Sequence, residues 1–216
     1  MSRLKITKYV QSAFLITIDE VNNYAFDFGS EVDEATLSAV GEVSASFISH
    51  QHPDHFHIAH LRKLGGEIFA PQDVVSKLAS ENIPATALRI GESVTVGPLT
   101  VKALNSDHGP NISAPIDNLA FLINGAGKTI LYLGDMSVPT ALPAEHFDLL
   151  LVPVGGSKVF TPEEATSFIR KLDYHGRVIP IHYHGRADRQ AGTKFKAIAN
   201  DICSVLVCEV GESVDA

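Results

Sequence analysis

Residues 50–55 read His50-Gln51-His52-Pro53-Asp54-His55, directly after the apolar run Ser46-Phe47-Ile48-Ser49. No other stretch limits the fold as strongly. His50 and His52 are two residues apart, so an extended backbone points both to one side. Pro53 cannot continue a ladder and bends the chain. Asp54 and His55 then face a different direction. Three imidazoles and one carboxylate aimed two ways suit two adjacent metal ions better than one. The chain holds 10 histidines, and independent placement would give this pattern in about one chain per thousand of such composition. A solvated histidine-rich turn explains it poorly.

Two metals need more ligands than one hexapeptide carries. Three further candidates each follow an apolar, strand-like run: His108 after Leu99 to Asn105, Asp135 after Thr129 to Leu133, and His182 after Arg177 to Ile181. Strand ends hold a side chain rigidly yet open to solvent. Taken singly, each could equally be a loop histidine or a turn aspartate.

The surrounding pattern predicts mixed α and β structure. Arg3 to Tyr9, Ala13 to Ile18, Tyr24 to Phe28, Ala45 to Ser49 and Glu67 to Ala70 read as strands, with Asn22-Asn23 as a turn. Thr86 to Ile90, Ser93 to Val96 and Leu99 to Asn105 follow. Leu119 to Asn124 and Lys128 to Leu133 predict a hairpin around Gly125-Ala126-Gly127. Leu149 to Val154, Arg177 to Ile181 and Val205 to Val210 complete the strands. Helices are predicted over Ile58 to Leu64, Gln72 to Glu81 and Arg189 to Asn200. Another begins at Thr161-Pro162-Glu163-Glu164, a capping box with proline at its first position. No linker-like tract divides the 216 residues, so one domain over 1–216 is expected, with two sheets and helices outside them.

Composition narrows the function. The formal charge is −8, which argues against a broad basic surface for nucleic acid. No apolar run approaches the ~20 residues of a membrane span, and Val10 to Ile18 lacks the character of a signal peptide. A soluble, cytoplasmic protein is the expectation. Cys203 and Cys208 are too few for a disulfide scaffold or a zinc site, and read as buried structural residues.

The ordered set His50-Gln51-His52-Pro53-Asp54-His55, His108, Asp135 and His182 resembles the metallo-β-lactamase superfamily of metal-dependent hydrolases over nearly the whole chain. Gln11-Ser12-Ala13-Phe14-Leu15-Ile16, Tyr132-Leu133-Gly134-Asp135 and Pro153-Val154-Gly155-Gly156 leading to Phe160-Thr161 are similar to its UPF0173-like and ascorbate-6-phosphate-lactonase-like branch. The resemblance implies an α/β fold, a four-layer αββα sandwich with metals at one edge of the two sheets. It implies that His50, His52 and His108 bind one metal, that Asp54, His55 and His182 bind the second, and that Asp135 bridges them. Zinc is the expected ion, then manganese, then iron. It further implies hydrolysis by a metal-bridging hydroxide, with Asp54 and Asp135 in the catalytic centre. Two divalent ions bring four positive charges, against two from the aspartates and one from the hydroxide. The expected substrate is therefore a small, anionic ester, lactone or phosphoester.

Other residues are weighed around this site. Asp27, ending an early strand, is expected to orient a ligand histidine, as the family's aspartate does there. His184 faces the side of His182 if the chain stays extended, and would donate a proton or bind substrate. Lys158, after Gly155-Gly156-Ser157, and also Arg186 and Arg189, are candidates for contact with an anion. Asp107 is either a support for His108 or a solvated loop residue. His57 and His60 are expected on one helix face away from the metals, and His146 and His175 in ordinary loops. Three alternatives stay open: a nuclease of the same superfamily, an iron-dependent redox enzyme, and a non-catalytic metal-binding module. A homo-oligomer is compatible with the resemblance, while substrate and interface stay unread.

Overall fold

The computed structural model describes residues 2–110, 116–142, 145–183 and 189–216. The first sheet opens as a meander: β1 (Leu4–Lys8), β2 (Phe14–Ile18) and β3 (Asn22–Phe26) pair antiparallel. It continues in parallel through β4 (Ala45–Phe47), β5 (Glu67–Ala70) and β6 (Thr86–Ala87). The second sheet repeats that plan. A meander of β7 (Ser93–Val96), β8 (Leu99–Asn105), β9 (Leu119–Gly125) and β10 (Lys128–Tyr132) runs into parallel β11 (Leu149–Pro153), β12 (Arg177–Ile181) and β13 (Ser204–Val205). The last strand, β14 (Ser213–Asp215), returns to pair with β1.

Side-chain alternation sorts the strands into layers. Phe14, Ile16, Phe26 and Phe47 of the first sheet meet Val101, Phe121, Ile130 and Leu151 of the second in the central core. Their neighbours face outward. Leu15 and Ala25 pack beneath α1 (Glu34–Val40), with Leu37. Ile68 and Ala70 pack with Leu61 of α2 (Ile58–Leu64) and Val74 of α3 (Gln72–Ser80). Leu122, Leu131, Leu150 and Val178 pack against Phe168 of α4 (Pro162–Lys171) and Phe195 of α5 (Ala191–Ala199). The four layers are helix, sheet, sheet, helix, as expected. Phe14, Phe26, Phe47 and Phe69 stack across the first sheet with centroids 4.6, 4.9 and 5.2 Å apart, a cross-strand ladder that stiffens its inner face.

Several local expectations are corrected. Asn22 and Asn23 lie inside β3, paired with Ile18 and Thr17. The reversal falls earlier, at Asp19 and Glu20, whose φ of 52° and 61° is the left-handed geometry of a hairpin turn. The strand expected over Val205 to Val210 stops at Val205, because the chain there leaves one sheet for the other. Gly211, at φ 84°, donates to the Lys8 carbonyl and delivers β14 to β1. Pairing also ends at Ala87, short of the expected Ile90. Helix α1 was not anticipated, although Asp33 caps it by accepting from the Thr36 amide at 2.7 Å. Cys203 and Cys208 are free and buried, as expected. Among the described residues no helix is long and apolar enough to cross a membrane.

Candidate metal centre

The functional candidates gather where strands of both sheets end. His50 lies three residues beyond β4, His108 three beyond β8 and Asp135 three beyond β10, while His182 directly follows β12 and Asp27 directly follows β3. Two backbone bonds close this edge across the sheets: Leu119 donates to the Ser49 carbonyl at 3.0 Å, and His182 to the Gln11 carbonyl at 3.0 Å. Gln11, Asp27, Ser157 and His182 all adopt left-handed φ, between 51° and 63°. Such backbone costs roughly 1–3 kcal/mol per residue and concentrates at functional sites. Glycines make the close approaches. A Cβ at Gly29 would stand 2.0 Å from the Asp54 carbonyl carbon, and one at Gly134 would stand 2.5 Å from the Leu119 oxygen.

Two quartets of ligand atoms result, one of His50, His52, His108 and Asp135, the other of Asp54, His55, Asp135 and His182. In the first, His52 Nδ1 lies 3.0 Å from His50 Nε2 and 3.3 Å from His108 Nε2. Asp135 Oδ2 lies 3.8 and 3.6 Å from those same two Nε2 atoms. In the second, His55 Nε2 is 3.1 Å from Asp135 Oδ1 and 3.6 Å from Asp54 Oδ2. His182 Nε2 is 3.3 Å from Asp54 Oδ2 and 3.0 Å from Asp135 Oδ2. Ligands about 2.0 Å from a tetrahedral ion stand about 3.3 Å from one another, so both quartets fit a metal. His55 Nε2 and Asp135 Oδ1 are buried and have no hydrogen-bond partner despite their proximity. Every ligand residue expected from the sequence is thus brought into one of the two groups, and Asp135 belongs to both.

Protonation follows from burial and neighbours. Burial drives His50 well below the ordinary imidazole value, with the charge of His55 adding to it. Burial also lowers His52, and His108 lowers it further. Burial opposes protonation of His55, but Asp135 and Asp27 outweigh it and hold the ring well above its ordinary value. His182 is likewise desolvated, yet Asp135 and Asp54 push it up to about 9. Asp54 is held at about 2 by His182 and His55 in spite of its own burial. Asp135 is held well below the ordinary value by the same two histidines, again against burial. A metal held by the second quartet would have to displace a proton from each of His55 and His182.

Asp27 organises the floor. It is buried, and its Oδ2 lies 2.7 Å from His55 Nδ1 and 2.5 Å from the Ser49 hydroxyl. Its Oδ1 accepts from the Ser49 amide at 2.7 Å. Tyr132, reaching over from the other sheet, donates its hydroxyl to Oδ2. With its hydroxyl given to Asp27, Ser49 Oγ accepts from His50 Nδ1 at 2.9 Å. The network therefore protonates Nδ1 of both His50 and His55 and leaves Nε2 free to coordinate. Asp27 contacts a candidate ligand histidine, the placement the resemblance implied. Ser49 and Tyr132 were missed, since neither residue type nor spacing marks them. The signal is spatial.

A cavity of about 520 Å³ opens over the second quartet, lined by Gln11, Asp54, Asp135, Gly155, Lys158 and His182 among others. Another, of about 720 Å³, lies beside His108 and is lined by Leu88, Arg89, Ile90 and Asn118. Lys158 is exposed on the first cavity's wall. Arg189 is exposed ahead of α5 and is not among that cavity's lining residues. Asp107 stays outside the cluster: it is exposed and accepts from the Gly109 amide at 2.7 Å, a loop role. His57 and His60 pack on each other at 4.1 Å away from the quartets. His175 bonds to Ile202 and Asp173, and His146 is exposed. His184 and Arg186 lie outside the described residues.

Known proteins resemble this chain in sequence and in fold. A family model described as "Beta-lactamase superfamily domain" matches residues 27–183. A UPF0173 metal-dependent hydrolase of Carboxydothermus hydrogenoformans is 28% identical over 194 residues, covering 84% of this chain and 85% of its own. Igni18, a metallo hydrolase of the archaeon Ignicoccus hospitalis, superposes with a TM-score of 0.79 at 21% identity, covering 100% of this chain and 99% of that one. The metallo-β-lactamase fold protein YhfI of Bacillus subtilis superposes with a TM-score of 0.77 at 18% identity over 100% of both chains.

Proposed function

The chain belongs to the β-lactamase superfamily, and from that premise we propose that it is a dinuclear metal-dependent hydrolase of a small, anionic ester, lactone or phosphoester. The observation that carries this reading is the pair of quartets sharing Asp135 beside an open cavity. Five imidazoles and two carboxylates suit zinc first, with manganese and iron next. Bound by the two quartets, such ions would acidify a water for attack at neutral pH and would offer positive charge to the oxygen that becomes anionic.

The residues supply the rest. Asp135 is shared by both quartets and spaces them. Asp27 and Ser49 fix the rings of His55 and His50, so no reorientation is needed during reaction. Asp54 is partly open to solvent, and its low pKa keeps it a carboxylate at neutral pH, facing the cavity. Lys158 adds positive charge at the rim, which suits an anionic substrate.

The test is elemental mass spectrometry on gently purified protein, with phosphodiester and lactone substrates run on the same sample. About two metals per chain, with hydrolysis lost on chelation and in Asp135→Ala, is expected. One metal or none after repletion, without turnover, overturns the proposal.

A further inference from the structure

The geometry points to Gln11 as a substrate-binding residue, whose side-chain amide donates a hydrogen bond to the oxygen of the scissile carbonyl or phosphoryl centre. The inference rests on the hydrolase reading above and deepens it. Gln11 is 3% exposed and lines the cavity together with Asp54, Asp135 and His182. Its side-chain oxygen is buried and has no partner among the described residues. A carboxamide oxygen buried without a donor costs stability, and turning the group over puts its N–H groups where that oxygen lies, ready to donate to an arriving oxygen.

The backbone at this position does not require a glutamine side chain. Gln11 sits at φ 53°, a left-handed conformation that a glutamine adopts at a cost. Its carbonyl accepts from the His182 amide at 3.0 Å, and His182 is itself left-handed at φ 57°. A glycine would make that same backbone bond without strain. What a glycine cannot do is place a carboxamide beside the second quartet.

The chemistry of the position is distinctive. The quartets present imidazoles and carboxylates whose free atoms face one another. Gln11 adds a neutral donor whose N–H groups persist at every working pH. Turning the carboxamide over exchanges its nitrogen and oxygen within the same space. A donor fixed beside the reacting centre stabilises the oxygen as it becomes anionic.

Gln11→Gly separates this role from a structural one, and Gln11→Glu keeps the side-chain length while replacing the donor by a negative charge. Metal content, melting temperature, turnover of bis(p-nitrophenyl) phosphate and a δ-lactone, and calorimetric binding of inorganic phosphate are compared with wild type. Gln11→Gly is expected to keep its metals and to melt at or above wild type. Its kcat/KM should fall about 100-fold and its phosphate affinity about tenfold. Gln11→Glu should weaken phosphate binding further. A Gln11→Gly variant that matches wild type in both turnover and phosphate binding overturns the assignment. So does one that loses metal or melts lower, because the side chain would then serve the fold. Absence of wild-type turnover counts against the hydrolase reading alone, and the phosphate titration still decides on Gln11.

Discussion

Asp27 shows how much one side chain does here. It receives the Ser49 amide and hydroxyl, the His55 ring and the Tyr132 hydroxyl. Asp27→Asn replaces an acceptor-only group by one that also carries donors. Metal affinity is expected to fall about 10–100-fold, read by competition with a chromogenic chelator; unchanged affinity would refute the assigned role. Tyr132→Phe removes one donor and leaves the others. Burial and Asp27 hold the Tyr132 phenol far above its ordinary pKa, so it is a donor throughout the working range. Its loss is expected to cost about 1–3 kcal/mol in urea unfolding. Gly29→Ala meets the Asp54 backbone at 2.0 Å, and should displace the ligand loop and lower metal content together with melting temperature. Asp27 was legible from the family resemblance, which has an aspartate at the end of that strand. Tyr132 was not, because it lies 105 residues away and meets Asp27 only when the sheets stack.

Among the elements, α4 is the one most completely specified by local sequence. Thr161 accepts from the Glu164 amide at 3.2 Å, and Glu164 accepts from the Thr161 amide at 2.8 Å. Thr161→Ala should cost about 1 kcal/mol, measurable by urea unfolding. Strand β1 carries a different signature. Lys8 is buried, its ammonium donating to the Tyr9 carbonyl at 2.6 Å and lying 4.7 Å from the Tyr183 ring. Burial lowers it to about 7, against the opposing charges of Cys208 and Glu209. Between that value and the ordinary 10.5, the unfolded chain binds more protons than the folded one, so wild-type stability rises with pH. Below about 7 the cost of burying the charge is fully present. Lys8→Met should therefore exceed wild type most at and below neutral pH, with the margin closing toward pH 10.5. Parallel melting-temperature profiles for the two proteins would refute this. Local sequence misplaced the first hairpin, since Asn22-Asn23 looks like a turn while register puts both residues in β3.

At the level of the whole molecule, each sheet is a meander continued by parallel strands, and the quartets form where the ends of both meet. Ligands from β4, β8, β10 and β12 then converge without any one segment holding a complete set. Metal should consequently act as a clamp across the sheets. Melting temperature is expected to rise with the logarithm of free metal concentration and to fall on chelation. Asp135→Ala, missing from both quartets, should flatten that response; a metal-independent melting temperature in wild type would refute the clamp.

The linear chain determined the ligand types and the mixed α and β elements that carry them, while the four-layer plan was implied by the family resemblance. Ligand types and elements depend on residue chemistry and on periodicities of two and three to four residues, which a chain displays before it folds. The β-crossing near Gly211, the shortened β13, the Asp27–Tyr132 contact and the buried carboxamide of Gln11 were decided only by tertiary structure. Each depends on what the opposite sheet places nearby. That is a question of packing between residues far apart in the chain, and no local pattern encodes it.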